Sequence, residues 1–223
     1  MKLTYINHAC VMIEYNGKII VTDPFFDDLG TVLAKYPQFA TPDYIVLTHG
    51  HNDHIGSLGS LLSHAPTVLC IVELASFLRK QGIKNVIGLN FGGKISFDNV
   101  SFAIVPAVHT SANNGVYLGQ AAGFVLTLGD KTVYHAGDTD AFGDMALIQK
   151  FFKPDIGLIP IGGRYTMDVE KAAFCCNEYF TFDTVIPIHY NTFPEINASP
   201  EAFASLVKSK VLPLKPLQSV EFR

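Results

Sequence analysis

A dense cluster of metal-binding side chains constrains this chain more than any other feature. Residues 49–54 read His-Gly-His-Asn-Asp-His, directly after an apolar stretch at 44–48 that has the pattern of a buried strand. Side chains two apart in extended chain share a side, so His49 and His51 can bind one ion together. Asp53 and His54 fall where a helix should begin and can address a second ion. These donors favour zinc or a similar first-row metal over calcium and magnesium, and so many ligands in one place argue against an ordinary polar loop.

Composition narrows the class of protein. The 223 residues, of which 48% are hydrophobic and 16% charged, can bury a substantial core and predict a soluble, globular protein. The formal charge of -4 and the absence of any run of Lys and Arg give no general attraction to nucleic acid. We therefore expect a small-molecule substrate, and any anionic ligand must be held by local groups.

The start of the chain and its cysteines indicate a compartment. The chain enters a strand at once, without the charged and apolar regions of a signal peptide, and no apolar run is long enough to cross a bilayer. Cys10 and Cys70 are isolated, and Cys175 and Cys176 are neighbours, which is poor geometry for a disulfide. We expect four reduced thiols in a cytoplasmic protein that has no membrane contact.

Two hairpins mark the organisation of the chain. Asn16-Gly17 joins apolar runs at 10–15 and 18–23, and this dipeptide suits a type I′ turn, which needs positive φ at both positions. Gly129-Asp130 joins a second pair of runs, at 123–128 and 131–135. Each hairpin ends at an aspartate, Asp23 or Asp138. The interpretation is a single domain, 1–223, that can contain two related halves of about 1–115 and 116–223.

Strands alternate with segments of helical length, which predicts an α/β fold with mixed sheets. The expected strands lie near 43–48, 67–71, 99–106, 155–160, 184–188 and 217–222. The expected helices lie near 56–64, 72–81, 140–152, 168–180 and 200–209. The stretch 24–42 has no clear periodicity and is expected to be a surface loop, with a lid or a partner contact as the alternative.

Three further metal ligands are candidates on the same reasoning. His109 ends the run Ile-Val-Pro-Ala-Val-His, Asp138 follows a strand and a glycine, and His189 ends the run Val-Ile-Pro-Ile-His. All three lie at or just past the end of a strand, the edge of an α/β sheet where ligands bind. One such histidine is usually structural, but three candidates at equivalent positions beside the first motif favour metal binding.

The order His-x-His-x-Asp-His, His, Gly-Asp, His resembles the metallo-β-lactamase superfamily of binuclear metal hydrolases, over the span from Val11 to His189. The resemblance implies a four-layer αββα sandwich, two mixed sheets with helices on the outer faces and the metals at one sheet edge. It also implies a first ion held by His49, His51 and His109, a second held by Asp53, His54 and His189, and Asp138 as the bridge between them.

Within the superfamily the chain is most similar to short, single-domain cytoplasmic hydrolases. These include the ascorbate-6-phosphate lactonases and, more distantly, phospholipase-D-type enzymes acting on N-acyl phosphatidylethanolamine. The segments that carry the similarity are 7–10, 135–139, 161–167 and 188–194.

The charges of such a site predict a reaction. Two divalent ions, offset by Asp53, Asp138 and a bridging hydroxide, leave about one positive charge, which favours the anionic transition state of ester, lactone or phosphodiester hydrolysis. The expected cofactors are two divalent metal ions, zinc first, with manganese, nickel or iron as alternatives. Asp53 can shuttle a proton to the leaving group. His8 can help to polarise the substrate, or it is a packed structural histidine.

A glycine-rich loop at 162–166 suggests how the substrate is held. Thr166 is a candidate N-cap for the helix near Asp168, and Arg164 with the helix N-terminus would bind a phosphate or carboxylate. Simple capping with a solvated Arg164 is the alternative.

Three other functions remain in competition. Di-iron reductases usually place Glu where this chain has His51, and nucleases of this kind usually carry an inserted domain and a basic surface. A catalytically silent, metal-stabilised binding protein also stays open, and the chain can form a homo-oligomer. Seven intact ligand candidates favour catalysis.

Overall fold

The computed structural model describes residues 1–223, which form two compact units. Unit 1 comprises residues 1–90, 110–120 and 215–223, and unit 2 comprises residues 91–109 and 121–214. The chain passes from one unit to the other at 90/91, 109/110, 120/121 and 214/215. The relation between the predicted halves 1–115 and 116–223 stays a prediction.

The strands, in chain order, are β1 (Lys2–Asn7), β2 (Cys10–Tyr15), β3 (Lys18–Thr22), β4 (Tyr44–Val46), β5 (Thr67–Ile71), β6 (Val86–Leu89), β7 (Lys94–Phe97), β8 (Val100–Pro106), β9 (Ala112–Asn113), β10 (Val116–Tyr117), β11 (Ala122–Leu128), β12 (Lys131–His135), β13 (Ile156–Pro160), β14 (Thr184–Ile188), β15 (Lys210–Val211) and β16 (Gln218–Glu221). The α-helices are α1 (Leu29–Lys35), α2 (Asn52–Ile55), α3 (Val72–Lys80), α4 (Met145–Phe152), α5 (Val169–Tyr179) and α6 (Pro200–Leu206). Short 3-10 turns lie at Pro37–Ala40, Leu58–Leu61 and Pro194–Ile196.

Unit 1 contains a mixed seven-stranded sheet in the order β16-β1-β2-β3-β4-β5-β6. The β2–β3 hairpin turns through Asn16 and Gly17, both at positive φ, as the Asn-Gly signal predicts. From β3 to β6 the pairing is parallel. Helix α3 packs beside β5 and β6 and buries Leu74, Ala75 and Leu78.

Unit 2 contains a second mixed seven-stranded sheet in the order β15-β14-β13-β12-β11-β8-β7. Its core joins the buried residues of α4, α5 and α6 to the strands, with Tyr134 of β12 wholly buried among them. Mixed sheets covered by helices in both units confirm the predicted α/β class.

Strand direction explains why the candidate ligands gather. In unit 1, β1 and β3 are both antiparallel to β2, and β4 and β5 run parallel to β3, so these four strands end at the same sheet edge. In unit 2, β8 and β12 are both antiparallel to β11, and β13 and β14 run parallel to β12. Each unit therefore has one edge where four strands deliver the residues that follow them.

Two of the predicted helices are wrong in extent. The range 56–64 contains no α-helix: the single turn α2 ends before it, at Ile55, and a 3-10 turn follows at Leu58–Leu61. Gly56 and Gly59 lower the helix propensity there, and Leu58 and Leu61 are spaced by three, which suits a 3-10 turn. The helix predicted at 140–152 begins only at Met145.

The stretch 24–42 is more regular than predicted, because it contains α1, which the side chain of Asp28 caps by accepting from Gly30 N and Thr31 N. All four cysteines are free and buried, as expected. No helix of the protein has the length and apolarity needed to cross a bilayer.

Candidate metal centre

His49 and His51 follow β4 on an extended segment and lie against each other. His49 is fully buried, and its Nε2 lies 3.0 Å from Nδ1 of His51. Zinc–nitrogen bonds of about 2.0–2.1 Å in a tetrahedral shell place two ligand nitrogens about 3.3 Å apart. The pair therefore fits one ion after a small opening movement.

The backbone between these histidines packs closely against Leu118, so a side chain at Gly50 would require Leu118 to move. A Cβ on Gly50 would lie 2.4 Å from Cδ1 of Leu118. Gly50 N also donates to Oγ of Ser111 at 3.0 Å. The segment 110–120, which belongs to unit 1, thus holds the histidine motif in place. In the sequence, only the glycine between His49 and His51 indicated that other residues pack closely against this backbone.

Asp53, His54 and His8 form the second group of donors in unit 1. Their ligand atoms lie within 4.8 Å of one another. Oδ2 of Asp53 is 3.2 Å from Nε2 of His8 and 4.0 Å from Nε2 of His54. Both histidines are fully buried, whereas the Asp53 side chain is 29% exposed. Helix α2 presents Asp53 and His54 in its single turn, as the motif predicts.

Asp23, for which the sequence predicts no role, controls the tautomers of His49 and His54. It is fully buried at the end of β3 and accepts from Thr48 N at 2.8 Å, Thr48 Oγ1 at 2.7 Å and His54 Nδ1 at 2.9 Å. Because Thr48 Oγ1 donates to Asp23, it accepts from Nδ1 of His49, 3.1 Å away. Asp23 therefore sets the tautomer of both His49 and His54, so that each Nε2 carries the lone pair a metal needs.

Unit 2 brings the other three candidates together around one carboxylate oxygen. Asp138 Oδ2 lies 3.0 Å from Nε2 of His189 and 3.5 Å from Nε2 of His109. Asp138 and His189 are almost fully buried, and His109 is 14% exposed. A carboxylate oxygen between two imidazoles has the placement expected of a ligand shared by two ions.

Local backbone features present these residues. Gly137, at positive φ, donates its N–H to Nδ1 of His135, which shapes the turn before Asp138. His135 is buried, and this hydrogen bond gives it a structural role. His189 itself has a φ of 54. A Cβ on Gly162 would lie only 2.3 Å from the carbonyl oxygen of His189, so the loop after β13 needs glycine there.

The loop at 162–166 does not cap its helix as predicted. The N-cap of α5 is Asp168, whose side chain accepts from Lys171 N, and Thr166 instead donates from Oγ1 to the carbonyl oxygen of Met167. Aspartate outcompetes threonine as a cap because its carboxylate also complements the helix dipole. Arg164 is exposed and lies over the ring of Tyr165, 5.5 Å from its centroid.

The donor set fits divalent cations. Imidazole nitrogens and carboxylate oxygens are the ligands that zinc and other first-row metals prefer. A buried carboxylate such as Asp138 is stable only beside positive charge or hydrogen-bond donors, and a divalent cation supplies that charge. Asp53 and His51 in unit 1, and His109 in unit 2, are each partly exposed to solvent.

Comparisons with known proteins identify the family of the chain. Residues 2–189 match the family model described as the beta-lactamase superfamily domain. The chain is 40% identical to a UPF0173 metal-dependent hydrolase of Staphylococcus carnosus over 100% of both chains, and 39% identical to one of Pyrococcus abyssi over 99% of both. The solved structure of Igni18, a metallo hydrolase from Ignicoccus hospitalis, superposes with a TM-score of 0.89 and 33% identity, covering 100% of this chain and 99% of that one. The resemblance inferred from the motifs, and the α/β sandwich, are thereby confirmed.

Proposed function

The chain belongs to the beta-lactamase superfamily and is a metal-dependent hydrolase of it; on that premise we propose that it uses two metal ions to cleave an ester, lactone or phosphodiester bond of a small, anionic substrate. The observation that carries the proposal is the buried Asp138 carboxylate, whose Oδ2 lies 3.0 Å from His189 and 3.5 Å from His109. A single buried carboxylate so placed suits a shared ligand of two cations.

In the proposed assignment, which follows the resemblance stated for the sequence, the seven donors serve one pair of ions, most suitably zinc. The first ion takes His49, His51 and His109, the second takes Asp53, His54 and His189, and Asp138 takes part in both shells. Support comes from the spacing of the donors within each unit and from the likeness to a solved metallo hydrolase, which spans the whole chain.

Divalent ions held by these donors would supply Lewis acidity and lower the pKa of bound water to about 7, so that hydroxide would be available at neutral pH. The chain provides the fixed, partly buried frame that holds the substrate against that centre and excludes bulk water. Burial of His49, His54 and His189 strengthens each electrostatic interaction there.

Asp53 is the group proposed to deliver a proton to the leaving group. Its side chain is 29% exposed, while its Oδ2 lies within 3.2 Å of His8 Nε2. His8 packs edge-on against the rings of Phe25 and His54, so its ring is held in one orientation. We assign His8 the positioning of Asp53, with contact to the substrate as its other proposed role.

Arg164 is the proposed partner of an anionic group on the substrate. Arg164 is exposed in the loop after β13, and its guanidinium carbon lies 5.5 Å from the centroid of the Tyr165 ring. Thr166 is buried and its hydroxyl contacts the backbone, which makes Arg164 the stronger candidate of the two. A small-molecule substrate, a cytoplasmic location and a homo-oligomeric state stay proposals.

The experiment is a paired substitution, Asp138→Ala against Asp140→Ala. Asp140 is exposed and its carboxylate bonds to Lys171, so it is a control of the same residue type two positions away. Asp138→Ala should lower bound zinc below two ions per chain and cut turnover by more than about 100-fold. Measurements are metal content and a screen of phosphodiesters, lactones and p-nitrophenyl esters. Unchanged turnover in Asp138→Ala would exclude the assignment, and bound metal without any turnover would favour a binding protein.

A further inference from the structure

A cavity of about 290 Å³ opens in unit 1 at the sheet edge that carries the histidine motif. It is bounded by the end of β1, the segment after β3, the first turns of α1 and the approach to β16. Its lining consists of Ile6, Asn7, Phe26, Asp27, Asp28, Thr31, Val32, Pro216 and Leu217. Nothing in the assigned metal chemistry uses it.

The cavity wall is connected to the proposed catalytic residues through the chain neighbours of two lining residues. Asn7, which lines it, is the chain neighbour of His8, and His8 Nε2 is 3.2 Å from Asp53. Phe26, which also lines it, follows Phe25, and the Phe25 ring packs against His8 at 5.5 Å between centroids. Two residues of the cavity wall, Asn7 and Phe26, are thus chain neighbours of His8 and Phe25, which contact Asp53 and His8 respectively.

The chemistry of the lining selects an occupant. Ile6 and Val32 are buried apolar walls, and the volume is about twice that of an apolar cavity of ~150 Å³ that binds benzene. Asp27 and Asp28 add negative charge at the rim, which repels an anion. The occupant is therefore apolar and uncharged.

One polar feature adds a specific requirement. Nδ2 of Asn7 is buried and has no hydrogen-bond partner. A ligand in the cavity reaches this nitrogen only after the Asn7 side chain rotates. An unpaired buried donor costs free energy, so a rotation that brings it to an acceptor oxygen of the ligand is favoured. A carbonyl or ether oxygen meets this need, whereas a carboxylate would also meet the repulsion of the aspartates.

We propose that this cavity binds an uncharged, apolar arm of the substrate that carries an acceptor oxygen, such as a medium-length acyl chain. The proposal rests on the hydrolase function proposed above and names the class of substrate. It is compatible with an anionic group elsewhere on the same molecule.

The kinetic test compares p-nitrophenyl hexanoate with p-nitrophenyl acetate on the zinc-loaded enzyme. Each added methylene is worth about fourfold in binding, so kcat/KM should favour the hexanoate by on the order of 100-fold. Thr31→Phe fills the cavity from its exposed side and should lower this preference at least tenfold. Thr31→Val, which has the shape of threonine, should keep it. An equal preference in Thr31→Phe and Thr31→Val would overturn the proposal.

A binding measurement separates the cavity from the catalysis. Hexanamide, titrated into the same protein, should shift the NMR methyl signals of Ile6, Val32 and Leu217, and hexanoate should bind at least tenfold more weakly. Shifts elsewhere, no shifts, or equal binding of hexanoate would overturn the subsite. If hexanamide shifts these methyls but no ester is hydrolysed, the hydrolase function fails while the binding site stands.

Discussion

Replacing Asp23 with asparagine is expected to weaken zinc binding although Asp23 touches no metal. Asp23 accepts three hydrogen bonds, from Thr48 N, Thr48 Oγ1 and His54 Nδ1. The asparagine oxygen can keep one of them, but its amide group would direct N–H toward groups that also donate. His54 would then turn its Nδ1 lone pair to the amide and carry its proton on Nε2, where it blocks metal binding.

The magnitude follows from these contacts. Hydrogen bonds to a buried carboxylate are worth about 1.5–3 kcal/mol each, so loss of two lowers the free energy of unfolding by about 3–6 kcal/mol. Loss of control over the ligand tautomer should lower zinc affinity about 10–100-fold. Chemical denaturation measures the first quantity, and competition with a chromophoric chelator measures the second.

Asp43→Asn is the matched control for this prediction. Asp43 also accepts a backbone N–H, from Ile19 at 2.8 Å, and it pairs with Lys18 at 2.9 Å. It lies at the start of β4, the end of the strand away from the histidine motif. This variant should lose about 1 kcal/mol and bind zinc like the wild type. Wild-type zinc affinity in Asp23→Asn would refute the role given to Asp23.

Two further predictions concern the frame around the site. Gly162→Ala should cost about 1–3 kcal/mol of stability and displace His189, because the new Cβ would lie 2.3 Å from its carbonyl oxygen; Gly143→Ala, with open space at its Cβ, is the control in thermal unfolding and zinc titration. The Thr31 hydroxyl holds the pKa of Asp28 below its ordinary value of 3.8, so the cap of α1 should be intact above that pH and be lost as pH falls through the lowered pKa. A transition of the α1 amide signals centred above 3.8 would contradict this assignment.

The sequence was most informative about potential metal ligands that directly follow an apolar strand. His49, His109, Asp138 and His189 all follow apolar strands, and parallel strands end at one edge, so their grouping within each unit could be expected. The hairpin at Asn16-Gly17 was predictable because its turn needs a specific backbone conformation.

Other features depend on contacts that no local pattern encodes. Asp23 gains its role only when β3 and β4 pair and bring Thr48 against it, although its position after a hairpin, like that of Asp138, was a signal. The N-cap of α5 is Asp168 and not the predicted Thr166. Both residue types are good N-caps, so tertiary structure decides which of them is used. Apolar spacing alone could not separate an α-helix at 56–64 from a 3-10 turn.

The central proposal is that the seven His and Asp donors hold one pair of metal ions. Anomalous diffraction from crystals of the zinc-loaded protein, measured at the zinc edge, tests this claim most directly. The account predicts two peaks about 3.5–4 Å apart, with Asp138 bonded to both, His109 on the peak of His49 and His51, and His189 on the peak of Asp53 and His54. A single peak, or His109 and His189 bound to neither, would contradict it.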